Sequence, residues 1–184
     1  IEGRPTYDSL KRIFKSLKKC AEPIPSPYLR GHLYLITTDA EYQRITGETR
    51  RVPVRPGVHP SVTAGSTQYQ IAQANREHDR DIAIYQTHLT VNEALKKLVT
   101  KSINEVYFVG IDVGEVIILQ IIEYLSRKYY NISNAELERN NKEIKQEWNA
   151  ETPIEEYFFK IKKCIELAED AESEYSSKQV IQIM

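Results

Sequence analysis

Apolar residues recur at helical spacing along most of this chain. Between Tyr7 and Cys20, Leu10, Ile13, Phe14 and Leu17 share one face of a helix, while Lys11, Arg12, Lys15, Lys18 and Lys19 occupy the other. A basic amphipathic helix is predicted. Its face is either a contact for phosphates or an anionic membrane surface, through counterion release, or simply a solvated surface. The run from Glu22 to Pro27 places proline at 23, 25 and 27, which fixes φ and removes amide donors, so a linker or a rigid loop is expected there.

His32 to Thr38 is rich in strand formers, and with Arg51 to Val54 it predicts a short β-hairpin in the N-terminal half. Thr38 reads as the cap of a short helix ending at Gly47. Pro53 to Gly65 reads as an extended loop. Ser66 or Thr67 then caps a helix towards His88 with Tyr69, Ala72, Ile82 and Tyr85 among its apolar positions; its polar middle, Asn75 to Asp81, is expected to face water or a partner.

Thr90-Val91-Asn92-Glu93 has the form of a capping box opening a second helix, with the stripe Ala94, Leu95, Leu98, Val99 and Ile103. Glu115 to Tyr130 carries Ile118, Ile121, Ile122, Leu125 and Tyr129 and predicts a central, largely buried helix. Ser133 to Glu136 forms another capping box, opening a helix whose inner face is Leu137, Ile144 and Trp148. Thr152-Pro153-Ile154-Glu155 forms a third, with proline at the first helical position. That helix is expected to bury Ile154, Tyr157 or Phe158, Ile161, Ile165 and Ala168. A last helix, capped at Ser176 or Ser177, would carry Val180, Ile181, Ile183 and Met184.

The expected fold is therefore mostly α. Residues 5–132 are expected to form an N-terminal, mainly helical lobe with proline-rich loops, and 133–184 a C-terminal helical lobe. The opening Ile1-Glu2-Gly3-Arg4 lacks methionine and matches the recognition sequence of a clotting protease used in expression work. Residues 1–4 are thus read as a remnant, and the natural protein is expected to be longer at both ends.

Across 184 residues, 25 Lys and Arg balance 26 Asp and Glu, so any basic function must be local. Two distant cysteines, Cys20 and Cys164, suit reduced thiols in a cytoplasmic protein. The longest apolar run, Val116 to Ile122, is interrupted by Gln120 and is too short for a membrane span.

Catalytic chemistry finds little support. Phe108 to Gly114 resembles the first phosphate loop of sugar-kinase and actin-type ATPases, but Gly114 leads into a helical repeat where a returning strand is needed. A turn between helices with Asp112 as local cap fits better. His32, His59, His78 and His88 lack metal-site spacing, no G-x-S-x-G elbow occurs, and neither cysteine has a context that activates a thiol. No catalytic residue, metal, cofactor or small-molecule substrate is expected. Trp148 and Phe158 are assigned to the core together with Ile161. Because Tyr157, Phe158 and Phe159 are consecutive on a helix, at least one must be exposed or in an interface, and Tyr157 or Phe159 is the candidate partner contact.

The order of these elements, above all "I-x-x-I-I-E-Y-L-S-R-K-Y" from Ile118, a helix ending at Trp148, and "T-P-I-E-E-Y-F-F-K-I-K-K-C-I-E-L-A" from Thr152, resembles the Gag capsid region of copia-type long-terminal-repeat retrotransposons over residues 82–184. The resemblance implies a divergent or domesticated relative: a helical array that self-associates into a shell around retroelement RNA. No zinc knuckle occurs here, so RNA contact would fall to the basic helix, through Lys11, Arg12, Lys15, Lys18 and Lys19, or to flanking sequence beyond this chain. The alternative is a helical nucleic-acid-binding or adaptor module that uses helix 7–20 without assembling.

Overall fold

A computed structural model describes residues 3–58, 65–171, 173 and 175. Outside them lie part of the expected terminal remnant (residues 1 and 2), His59, the later part of the 53–65 loop and the expected last helix through Val180 and Met184 with its caps. Six helices are described: α1 (Tyr7–Ala21), α2 (Asp39–Thr46), α3 (Gln68–Ser102), α4 (Ile118–Tyr129), α5 (Asn134–Glu143) and α6 (Ile154–Asp170). The chain divides into two compact units, 1–130 and 131–184.

In the N-terminal unit α1, α3 and α4 pack pairwise. Leu10, Leu17 and Ala21 from α1 meet Val91, Leu95 and Val99 from α3 and Ile118, Ile121 and Leu125 from α4 in one core. Each row is spaced at three, four or seven residues, which keeps its side chains on one helix face. Capping at α1 is reciprocal between Thr6 and Ser9, and at α3 between Thr67 and Gln70. Thr38 caps α2, which ends at Gly47 with φ +77°.

Among the described residues there is no strand, so the expected hairpin is not formed. Leu33–Leu35 is instead one tight helical turn, in which the Leu35 amide donates to His32 O and the Ile36 amide to Leu33 O. Leu33, Tyr34, Leu35 and Ile36 are all buried. A half-exposed strand would have put alternate members of that run into water, so burial on every side selects the turn.

The expected helix boundary at Thr90 is also absent: α3 runs unbroken for 35 residues, about 52 Å at 1.5 Å per residue. No glycine or proline interrupts 66–102, and Thr90 Oγ1 donates back to Gln86 O at 3.0 Å instead of capping. The capping chemistry of Asn92 is spent on another helix. Its Oδ1 accepts the buried Ile118 amide at 3.0 Å, while Gln120 Oε1 accepts the Ile117 amide at 3.1 Å. One turn along α3, the buried Lys96 donates to Gly114 O at 3.2 Å and to Glu93 at 2.9 Å. Asn92 and Lys96 thus hold the start of α4 and the turn before it, which contains the expected local cap of Asp112 on the Gly114 amide at 2.9 Å.

The polar middle of α3 does not all face water. Ile71, Ala74, Asn75, His78, Ile82 and Tyr85 form a half-buried row, and His78 Nε2 lies 3.2 Å from Gly57 O.

In the C-terminal unit α5 and α6 form an antiparallel pair, as the contacts Asn140 to Cys164 O and Gln146 to Lys160 require. Ser133 and Glu136 make the expected capping box. The third expected box, at Thr152, is not made: Thr152 Oγ1 donates to Asn149 O at 2.8 Å, and Pro153 opens α6 without a side-chain cap. Buried in this unit are Asn140 and Ile144 against Ile161, Cys164 and Ala168.

Candidate functional site

Two surfaces and one buried cluster concentrate the polar and aromatic chemistry. The first surface is the outer face of α1. Its inner residues are drawn into the core, which leaves the lysines and arginine of positions 11–19 in two different environments. Lys11 is half-buried, with its ammonium 5.6 Å from the Tyr7 ring centroid, and Lys18 is ion-paired with Glu41. Arg12, Lys15 and Lys19 are exposed. Spaced at i, i+3 and i+7, these three form one row along the helix, the part of the expected basic face that remains open to a phosphate backbone.

The second surface surrounds the start of α6. Trp148 and Phe158, both expected in the core, are 44% and 46% exposed, whereas Ile161 is buried at 4%. The cause is the length of α5. Asn140 Nδ2 donates to Cys164 O at 2.8 Å, so in an antiparallel pair the end of α5 at Glu143 lies level with Ile161. Among the described residues, no helix therefore lies opposite the first turns of α6. Trp148 lies beyond α5, in the turn leading to α6, where its Nε1 donates to Thr152 O at 3.0 Å. Phe159 is 61% exposed, with the Lys163 ammonium 4.5 Å from its ring centroid, and Ile154 is exposed as well. Tyr157 is half-buried and meets the Phe158 ring edge-on at 6.0 Å.

The buried cluster joins three segments of the N-terminal unit. Tyr34 Oη lies 3.1 Å from His32 Nδ1 and 3.2 Å from His88 Nδ1, and His32 Nε2 lies 3.3 Å from Pro25 O. Tyr34, His32 and His88 are 0%, 2% and 7% exposed. The rings of Tyr34 and His88 stack at 5.8 Å, Tyr28 meets Tyr34 edge-on at 5.0 Å, and Tyr85 stacks on His88 at 6.1 Å. Burial holds both imidazoles below the usual histidine value; for His32 the bond to Pro25 partly opposes this, and for His88 the positive charges of a protonated His32 and of Arg50 reinforce it. Burial likewise pushes the Tyr34 hydroxyl up.

Burial, and then Glu143, raises the Cys164 thiol, which opposes formation of a nucleophilic thiolate. Among the described residues no group of three or more His, Cys, Asp or Glu is placed to hold a metal ion, and no helix is long and apolar enough to cross a membrane.

The unit boundary also exposes a charge asymmetry that the near-neutral whole chain conceals. Residues 1–130 carry 18 Lys and Arg against 14 Asp and Glu, net +4, while residues 131–184 carry 7 against 12, net −5. The boundary expected after residue 132 gives the same charge division, because residues 131 and 132 are uncharged. The His32–Tyr34–His88 cluster is not legible in the sequence, since it joins positions 54 residues apart.

Compared with known protein families, curated proteins and solved structures, the chain shows no significant match.

Proposed function

We propose that the chain is a structural, capsid-like protein of the Gag type that associates with copies of itself and holds RNA electrostatically. The observation that carries this reading is the uncovered aromatic face of the small C-terminal unit. Trp148, Ile154, Phe158 and Phe159 are all more than 40% exposed around the start of α6. Large rigid aromatics dominate interface energetics, and a helix pair this small gains stability when a partner covers such a face. The opposite net charges of the two units favour ordered contact between copies as well.

The test is light scattering across protein concentration and salt. The mass should rise with concentration, and the exposed-site pair Phe158→Glu and Phe159→Glu should raise the concentration needed for half-association by at least tenfold. A strict monomer at every concentration and salt overturns the reading.

The exposed row Arg12, Lys15 and Lys19 favours a second reading, a nucleic-acid-binding module that does not assemble. Three phosphate contacts give a slope of about −2 in log affinity against log salt for single-stranded RNA, or roughly 15- to 20-fold weaker binding from about 50 to about 200 mM. Reversing all three charges should abolish that slope. Salt-sensitive RNA binding by a strict monomer would select this reading, and unchanged binding after the reversal would make the row a solvated surface.

A further inference from the structure

We infer that His32, Tyr34 and His88 form an acid-operated latch that fastens residues 23–36 to α3 and opens when an imidazole takes up a proton. This inference stands apart from the assembly reading and concerns the N-terminal unit alone.

The hydrogen-bond roles in the cluster follow from one fixed point. Pro25 offers only a carbonyl, so the His32 nitrogen facing it, Nε2, must carry the proton and donate. In the neutral ring Nδ1 is then an acceptor, and it receives the Tyr34 hydroxyl proton across 3.1 Å. The phenol has a single proton, so on its other side its oxygen accepts, which places a proton on His88 Nδ1 at 3.2 Å. The result is a directed chain: His88 Nδ1–H to Tyr34 Oη, Tyr34 Oη–H to His32 Nδ1, and His32 Nε2–H to Pro25 O. It ties the proline-rich loop, the buried turn at 33–35 and α3 together, and each of its three polar side chains is almost wholly buried.

A proton from solvent has no comfortable place in this chain. On His32 Nδ1 it leaves two N–H groups pointing at one phenol oxygen and the phenol's own proton without its acceptor. On His88 Nε2 it keeps the hydrogen bonds but leaves the cation on a buried residue, where the loss of hydration outweighs attraction to the stacked Tyr34 ring.

The ionisable groups around the cluster do not neutralise that cation. From the loop and the buried turn come Tyr28 and Tyr34, from α2 Tyr42, and from α3 Tyr85. From the segment after α2 come Glu48, which acts on Tyr42, and Arg50. Arg50 is itself a cation; its Nε donates to Tyr34 O at 2.7 Å, and it is paired with Asp39 at 2.9 Å. A buried charge without a counter-charge is costly, so uptake of the proton favours release of the segment.

The direction of the pH dependence follows. The folded imidazoles hold protons less tightly than the unfolded chain, whose histidines titrate near 6.5. The latch therefore contributes its full stability above pH 6.5 and loses it as pH falls from there through the depressed folded values. The experiment is NMR on the full chain from pH 8 to 5, following the imidazole C–H signals of His32 and His88 together with amide exchange. Both histidines should titrate below 6.5. Protection of the hydrogen-bonded His32, Leu35 and Ile36 amides should fall by about tenfold per pH unit for each proton taken up, while protection in α6 stays level. In the double variant His32→Gln with His88→Asn, that acid-dependent loss should disappear. Midpoints at or above 6.5, protection that is flat down to pH 5, or an unchanged acid slope in a folded double variant would overturn the latch. Should the double variant not fold, the titration and exchange of the native chain decide alone.

Discussion

Gly31→Ala is expected to destabilise the N-terminal unit by about 2–5 kcal/mol, a large share of the stability of an ordinary domain. Gly31 follows Arg30 in the tight reversal between the proline-rich loop and the buried turn, and the two residues have φ of +61° and +57°. A β-carbon in the left-handed region costs about 1–2 kcal/mol. Here it would also meet backbone on every side, 2.3 Å from Glu22 O, 2.6 Å from Ile24 O and 2.9 Å from Ala21 O. None of these can swing away as a side chain end would. Ala21 O is held by the His32 amide at 3.0 Å, and Glu22 is the residue that ends α1. Overpacking of this kind adds about 1–3 kcal/mol.

Gly47→Ala is the control. Its φ is +77°, yet nothing lies within 4 Å of the added carbon, so only the conformational cost of about 1–2 kcal/mol applies. Urea unfolding of both variants separates the two contributions. Equal losses would show that the three carbonyls do not crowd position 31.

Tyr34→Ala should cost about 3–5 kcal/mol from lost packing alone. The ring is wholly buried, wedged between Tyr28 and His88, and its hydroxyl serves both imidazoles. Removing it also leaves the facing nitrogens of His32 and His88 without partners, each a further cost of about 1–3 kcal/mol if no water replaces the phenol. Tyr34→Phe distinguishes the contributions. It keeps the ring and its stacking but deletes the hydroxyl, so a loss of about 1–3 kcal/mol is expected at neutral pH, measured as a shift in the urea midpoint at constant slope. Tyr34→Phe as stable as the native chain would mean that the hydroxyl does not join the two histidines.

How far the fold could be read from sequence depended on how local each signal is. Thr38, Thr67 and Ser133 cap the helices that follow them because each bond spans three residues and needs nothing from elsewhere. The apolar rows of α1 and α4 were legible for the same reason, since helical periodicity is a property of neighbouring positions. Thr90 and Thr152 have the same local chemistry but do not cap. One hydroxyl turns back onto Gln86 O inside a continuous helix, and the other onto Asn149 O in a turn.

The aromatic residues show a different limit. Periodicity assigned Trp148 and Phe158 to an inner face, but whether an inner face is covered depends on how far the opposite helix extends. α5 ends level with Ile161, and that mismatch between two helices is invisible in either one alone. The basic face of α1 was thinned in a similar way. Glu41, 23 residues beyond Lys18, took that lysine into an ion pair and left Arg12, Lys15 and Lys19 as the open row.

By itself the sequence determined what short-range physics controls: a mostly helical chain, the faces that must be buried on α1 and α4, and most of the capped helix starts. Tertiary structure decided the rest. It turned a strand-like run into a buried helical turn, carried α3 through an apparent boundary so that Asn92 caps α4, exposed the aromatic start of α6, and brought His32, Tyr34 and His88 into one buried chain. Those outcomes depend on desolvation and on polar groups meeting across distant segments, and a buried donor or acceptor takes its partner wherever the fold places one.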